Sequence, residues 1–264
     1  MTFDELTIII AVLFQAVVLA ILLFLSVRLV RDKGRKLTAI FLSFCFALWL
    51  LCDIYWLIYD FLRPETRMPF AANEIGEAAI FLMMAASINT LYPDGSGRSR
   101  SLFIGSSLFA LGNAVLWIGW SGEWIQDILT GIIFAWLFYS VARALKKERV
   151  LTGLEWILTS VLCSLSVVSQ ALTFFVDATL YKVFEVTAYI LVLIVMLMYI
   201  CKMIASIRKK DNAKAILTFS FTVVILASVG LYMSSGNWYL FFLLFTTVML
   251  SFCYLSVRKV VEEQ

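Results

Sequence analysis

The chain has 264 residues, of which 62% are hydrophobic and only 15% charged, with a mean hydropathy of +0.96 and a net charge of +3. Soluble domains run nearer a quarter charged and about half apolar, so the composition excludes a globular soluble fold and predicts an all-α, polytopic membrane helix bundle. There is no histidine, which excludes His-ligated zinc and haem, His-dependent nucleophilic sites and histidine proton relays.

The first element is an apolar run from Ile8 to Val27 behind an acidic flank, Met1-Thr-Phe-Asp-Glu-Leu6. It is too long for the core of a cleaved signal peptide, and no small-residue cleavage site follows it. A basic cluster (Arg28, Arg31, Lys33, Arg35 and Lys36) comes next, the pattern of a signal-anchor inserted with its N-terminus outside. That span is predicted at 7–28. Eight further spans follow as four hairpins, over 37–91, 101–143, 153–203 and 213–257, each apolar run long enough for a hydrocarbon core of ~30 Å. The hairpins break at about 61–71, 120–124, 175–179 and 233–238. Nothing between the spans is long enough to fold separately, so residues 1–264 are expected to form a single transmembrane domain of about nine helices with no soluble domain. The hairpins begin at irregular intervals and show no internal repeat.

Charge distribution gives the orientation. Of the 21 basic residues, only Arg63, Arg67 and Lys182 fall in the segments predicted to lie outside. The other 18 sit in the segments that the positive-inside rule places in the cytoplasm, where they also meet anionic lipid headgroups. Merging or splitting any span would put later basic loops on the wrong side. The expected arrangement is N-terminus out and C-terminus in, in a plasma or bacterial inner membrane. The tail after the ninth span, Arg258 to Gln264, is too short for an output domain.

Acids inside spanning segments are costly and usually face the bundle interior, where they mark a pathway, a site or a partner. Asp53, Trp56 and Asp60 lie at i, i+3 and i+7 on the second span, and Glu74 and Glu77 at i and i+3 on the third, so each set shares a helix face. Asp53 is predicted roughly 12 Å below the outer end of its span at 1.5 Å per residue, and Glu77 about 9 Å below the start of its own. Asp127 stands about one turn into the fifth span, and Glu185 about two turns into the seventh, with Tyr189 one turn further on. Asn113, followed by Trp117 and Trp120, adds a neutral polar group on the fourth. The expectation is an outward-facing acidic, aromatic pocket built from Asp53, Trp56, Asp60, Glu74, Glu77, Asn113, Asp127, Glu185 and Tyr189. Carboxylates supply charge and Trp or Tyr faces supply cation–π contact, so such a pocket suits a small cation or an amine-bearing molecule, for transport or sensing. A sensor of this form would need a partner membrane or signalling protein.

Other features are read as structural. Tyr55, Trp56, Tyr59, Trp117, Trp120, Trp124, Tyr181, Trp238 and Tyr239 gather near predicted outer ends, in the pattern of an interfacial belt. Thr159, Cys163, Ser166 and Gln170 form a polar stripe suited to close helix packing. Glu155 is placed among the solvated charges of the cytoplasmic loops, and the first, eighth and ninth spans, with no charge in their cores, as scaffold. The five cysteines occur singly in apolar runs, consistent with packing and without a metal-ligand spacing. No Gly-rich phosphate loop, nucleotide fingerprint or basic nucleic-acid surface occurs, so no cofactor and no nucleic-acid partner are expected.

Two alternatives stand beside the pocket. An aspartate late in one span followed by a polar returning helix, over about Phe46 to Phe81, resembles the lysoplasmalogenase family of polytopic membrane proteins. Here Cys52 stands where that family carries a glycine before the aspartate, and no second acidic motif follows. The resemblance implies a membrane-embedded lipid hydrolase using paired carboxylates as acid and base. The other alternative is a structural subunit of a membrane complex, since nothing in the sequence demands catalysis.

Overall fold

A computed structural model describes the backbone of residues 3–32, 36–62, 70–92, 99–121, 124–209, 213–234 and 236–263, and the side chains of somewhat fewer. Among the described residues there are nine α-helices and no strand: α1 (Phe3–Asp32), α2 (Leu37–Leu62), α3 (Phe70–Leu91), α4 (Arg100–Ser121), α5 (Trp124–Glu148), α6 (Gly153–Leu172), α7 (Ala178–Arg208), α8 (Ala213–Met233) and α9 (Gly236–Glu263). Eight are long and apolar enough to cross a membrane, as expected for a multi-pass membrane protein. The third is shorter by that measure over its described part, Ile75–Leu91. Its full 22 residues still span about 33 Å at 1.5 Å per residue. Beyond the predicted spans the helices gain mainly at their basic ends, where α1 runs to Asp32 and α7 to Arg208. Lys and Arg stems there cover apolar surface while their heads stay wet.

The chain divides into two compact units, residues 1–91 with 227–264, and residues 92–226. In the first unit α1 packs on α2 and α9, and α2 on both α3 and α9. Small and hydroxyl-bearing residues hold the α2–α3 hairpin together. At one end Thr38 and Thr90 share a 2.6 Å hydrogen bond, and the Ser87 hydroxyl donates to the Thr38 carbonyl at 3.5 Å. Further along, the Cys45 thiol approaches the Ile80 carbonyl at 3.7 Å. At Gly76 the packing leaves no room for a side chain, for a β-carbon there would lie 2.5 Å from Cys52 Sγ. Gly230 plays the same part between α8 and α9, where a β-carbon would sit 2.5 Å from the fully buried ring of Phe242. Small residues let membrane helices approach in this way and so gain dispersion contacts that lipid would otherwise supply.

In the second unit α4 packs on α5 and α6, and α6 on α7. Gly131 of α5 lies against Ala114 of α4, and Gly112 of α4 against Val167 of α6. The polar stripe of α6 serves packing, as expected: the Ser166 hydroxyl donates to the Ala188 carbonyl of α7 at 3.1 Å, and Thr159 and Tyr199 meet at 3.3 Å. Glu155 does more than sit in solvent. It closes a capping box with Thr152 at the start of α6 and pairs with Lys202 of α7 at 2.6 Å. The Thr-Gly-Leu-Glu spacing is the sequence signature of that cap.

Candidate functional site: an acidic, aromatic cavity in the first unit

The first unit holds a partly open cavity of about 290 Å³, near the size of a small-molecule site. Each surrounding helix turns one face to it. α2 contributes Trp49, Cys52, Asp53 and Trp56, whose spacings of three, one and three keep them on one side. α3 contributes Glu77, Ile80 and Phe81, again at i, i+3 and i+4. Val12 and Gln15 come from α1, Ser228 and Leu231 from α8, and Tyr239 and Leu243 from α9, with Ser234 between the last two helices. The close approach at Gly76 brings α3 against α2 one residue before Glu77 and one before Asp53, so the packing that joins the hairpin also brings its two acids to one cavity.

Asp53 is 8% exposed, and its Oδ2 has no hydrogen-bond partner among the described residues. Asp53 and Glu77 lie within each other's electrostatic reach, and Tyr239 within reach of both. No Lys or Arg among the described residues lines the cavity. A buried carboxylate without a countercharge is unfavourable: an aspartate at mid-bilayer depth costs on the order of 3 kcal/mol. Trp49, Trp56, Phe81 and Tyr239 supply aromatic wall, and Val12, Ile80 and Leu243 aliphatic wall.

Gln15 adds an amide to the two carboxylates and the hydroxyls of the cavity. It is 1% exposed, and its Nε2 donates to Thr247 Oγ1 at 2.8 Å and to the Leu243 carbonyl at 3.4 Å. A carbonyl only accepts, and the Thr247 hydroxyl already donates to Leu243 O at 2.8 Å, so the amide orientation follows from the network. Both amide hydrogens are used by α9, which leaves the carbonyl oxygen Oε1 as the group Gln15 offers to the cavity.

Of the predicted site residues, Asp53, Trp56 and Glu77 are brought together here. The side chains of Asp60 and Glu74 lie outside the described residues. Asn113, Asp127, Glu185 and Tyr189 belong to the second unit. There the Asn113 amide donates to the Phe109 carbonyl of its own helix at 2.8 Å. Asp127 is buried in the first turn of α5, where the helix N-terminus favours a carboxylate. The Tyr189 hydroxyl donates to Glu185 Oε1 at 3.3 Å, one turn away on the same helix.

Comparison with family models, with curated proteins and with solved structures gives no match to this chain. The site therefore rests on its own geometry.

Sequence reasoning missed Gln15, Trp49, Tyr239 and the α8 serine. Gln15 had a usable signal, a lone amide in the middle of an otherwise apolar run. Trp49 lies one turn from Asp53 on the same face, and Tyr239 was assigned to the interfacial belt. The three helices read as scaffold, α1, α8 and α9, all line the cavity.

Proposed function

We propose that this protein is a multi-pass cell-membrane protein whose first unit binds a small organic cation in the cavity around Asp53 and Glu77, for transport or sensing. The observation that carries this reading is the buried Asp53 carboxylate, with an oxygen left unpartnered, beside a second acid and walled by aromatic rings. A cation that enters neutralises the acids, and the Trp and Tyr faces add about 2 kcal/mol where the cation is desolvated. An organic cation is favoured over a bare metal ion because, among the described residues, no group of three or more acids or cysteines is placed to hold one, and hard cations take six or more oxygens. By the charge distribution of the loops, the cavity belongs to the outer leaflet, on the side opposite the basic residues.

The test is thermal stabilisation of the purified protein by inorganic cations, polyamines and organic amines, in the parent, Asp53→Asn and Glu77→Gln. An organic cation should raise the parent's unfolding temperature and lose most of that effect in both variants. If no cation shifts the parent while lipid substrates are turned over in an Asp53-dependent way, the paired carboxylates are those of a hydrolase and the binding reading fails.

A further inference from the structure

The oxygens that face the cavity say more than that its ligand is positive. A quaternary ammonium has no N–H to donate and is held by ring faces alone, whereas a primary ammonium carries three donors in a compact head. Beside the hydroxyls of Ser228, Ser234 and Tyr239, carboxylate and amide oxygens reach this cavity from three different helices: Asp53 on α2, Glu77 on α3 and Gln15 on α1. Two of the three are more than nine-tenths buried, at 8% and 1% exposure. The Asp53 Oδ2 atom has no donor among the described residues. Gln15 is held by Thr247 and Leu243 so that its nitrogen faces α9 and its oxygen is what remains. Ser234 lines the same space with its hydroxyl hydrogen already donated to the Leu231 carbonyl at 3.3 Å, so it too can accept.

The apolar part of the wall sets the rest of the ligand. Going inward along α2, Trp49 lies seven residues beyond Trp56, a distance of about 10 Å by helical rise, and Ile80, Phe81 and Leu243 continue the apolar lining. At about 290 Å³ the cavity is at the small end of the ~300–1,000 Å³ range of small-molecule pockets. It has room for one ring or a short alkyl chain beside the charged head.

We propose that the ligand is a protonated primary amine carrying an aryl or alkyl body, and that Gln15 is a specificity-determining residue that selects the N–H-bearing head over methylated ammonium groups. This rests on the cation reading above and narrows it. The Asp53 and Glu77 oxygens and Gln15 Oε1 accept from the ammonium hydrogens, while the aromatic and aliphatic walls take the body.

The experiment is calorimetric titration with phenethylamine and its N-methyl, N,N-dimethyl and N,N,N-trimethyl derivatives, on the parent, Gln15→Met and Thr247→Val. The series holds the body and charge constant and removes donors one at a time. Each charge-assisted hydrogen bond lost is expected to weaken binding about tenfold or more, so affinity should fall stepwise from the primary to the trimethyl compound. Gln15→Met should flatten that gradient while still binding the cations. Thr247→Val keeps Gln15 but removes the shorter of its two anchors on α9, leaving the 3.4 Å bond to the Leu243 carbonyl, and should flatten the gradient partly even if the Gln15 variant does not fold. Equal affinity across the series, or tighter binding of the trimethyl compound, overturns the primary-amine proposal and leaves the cation reading standing. A full gradient retained in Thr247→Val or in a folded Gln15→Met variant overturns the role of Gln15. Failure of every derivative to bind the parent removes both readings.

Discussion

Replacing Gly76 with alanine tests a tight contact between the two helices that carry the cavity acids. The added methyl would sit 2.5 Å from Cys52 Sγ, about 1 Å inside the ordinary contact distance of 3.5–4.0 Å. Either the thiol rotates away or α2 and α3 part by a comparable distance, and overpacking of this kind costs about 1–3 kcal/mol. Set against that, exchanging glycine for alanine within a helix gains close to 1 kcal/mol of propensity. The net expectation in the parent is a loss of about 1 kcal/mol, at most about 2. In a Cys52→Ala background the obstructing sulfur is gone, only the propensity gain remains, and the same substitution should stabilise by up to about 1 kcal/mol. The assay is a double-mutant cycle on thermal or denaturant unfolding of the purified protein, read together with amine affinity, because separating the helices also separates Asp53 from Glu77. A change of sign between backgrounds is the expected result. An effect of Gly76→Ala that is equal in both backgrounds, within about 0.3–0.5 kcal/mol, would refute the claimed contact.

Three further outcomes are expected. Glu155→Ala removes a capping-box side chain and the partner of Lys202. It should lower stability by about 1 kcal/mol, with Lys202→Met costing less than that; unfolding temperatures of the two variants decide the order, and a larger effect for Lys202→Met would contradict it. Ser166→Ala breaks the hydroxyl bond to the Ala188 carbonyl across α6 and α7 and should cost about 0.6 kcal/mol, the average for such bonds in membranes; steric trapping or denaturant unfolding measures it. Single cysteines placed at Lys146 and at Lys182 in a chain otherwise free of cysteine should react with a membrane-impermeant reagent from opposite sides, Lys182 from outside and Lys146 only after the membrane is opened. Labelling of both from one side would overturn the orientation drawn from the basic loops.

The helices were largely legible in the sequence because hydropathy and loop charge act over whole segments. The predicted 37–61, 71–91 and 101–120, for example, each fall within two residues of an observed end. What periodicity and hydropathy do not carry is which helix meets which. α8 has a mean hydropathy of 1.9, within the range of the other spans, yet 89% of its spanning window is buried, since a helix facing lipid and a helix facing other helices use the same side chains. The acids of the site were legible for a physical reason: a carboxylate in an apolar run is costly, so Asp53 and Glu77 stood out. Gln15 carries no charge and was passed over, although its buried amide faces the same requirement for partners. Tyr239 near a helix end fits an interfacial belt as well as a cavity wall, and only packing separates the two. Position along a helix places Asp127 and Glu185 near the starts of theirs, but depth does not determine which face of a helix turns where. Glu185 and Asn113 have partners on their own helices.

The central claim is most directly tested by equilibrium binding of radiolabelled phenethylamine to the protein in lipid vesicles, with the parent beside Asp53→Asn and with Glu155→Gln of the second unit as a control. Saturable binding to the parent and the control is expected, weakened at least about tenfold in Asp53→Asn, the effect of losing one charged hydrogen-bonding partner. Saturable binding that is undiminished in Asp53→Asn, or no saturable binding to the parent at all, would contradict it.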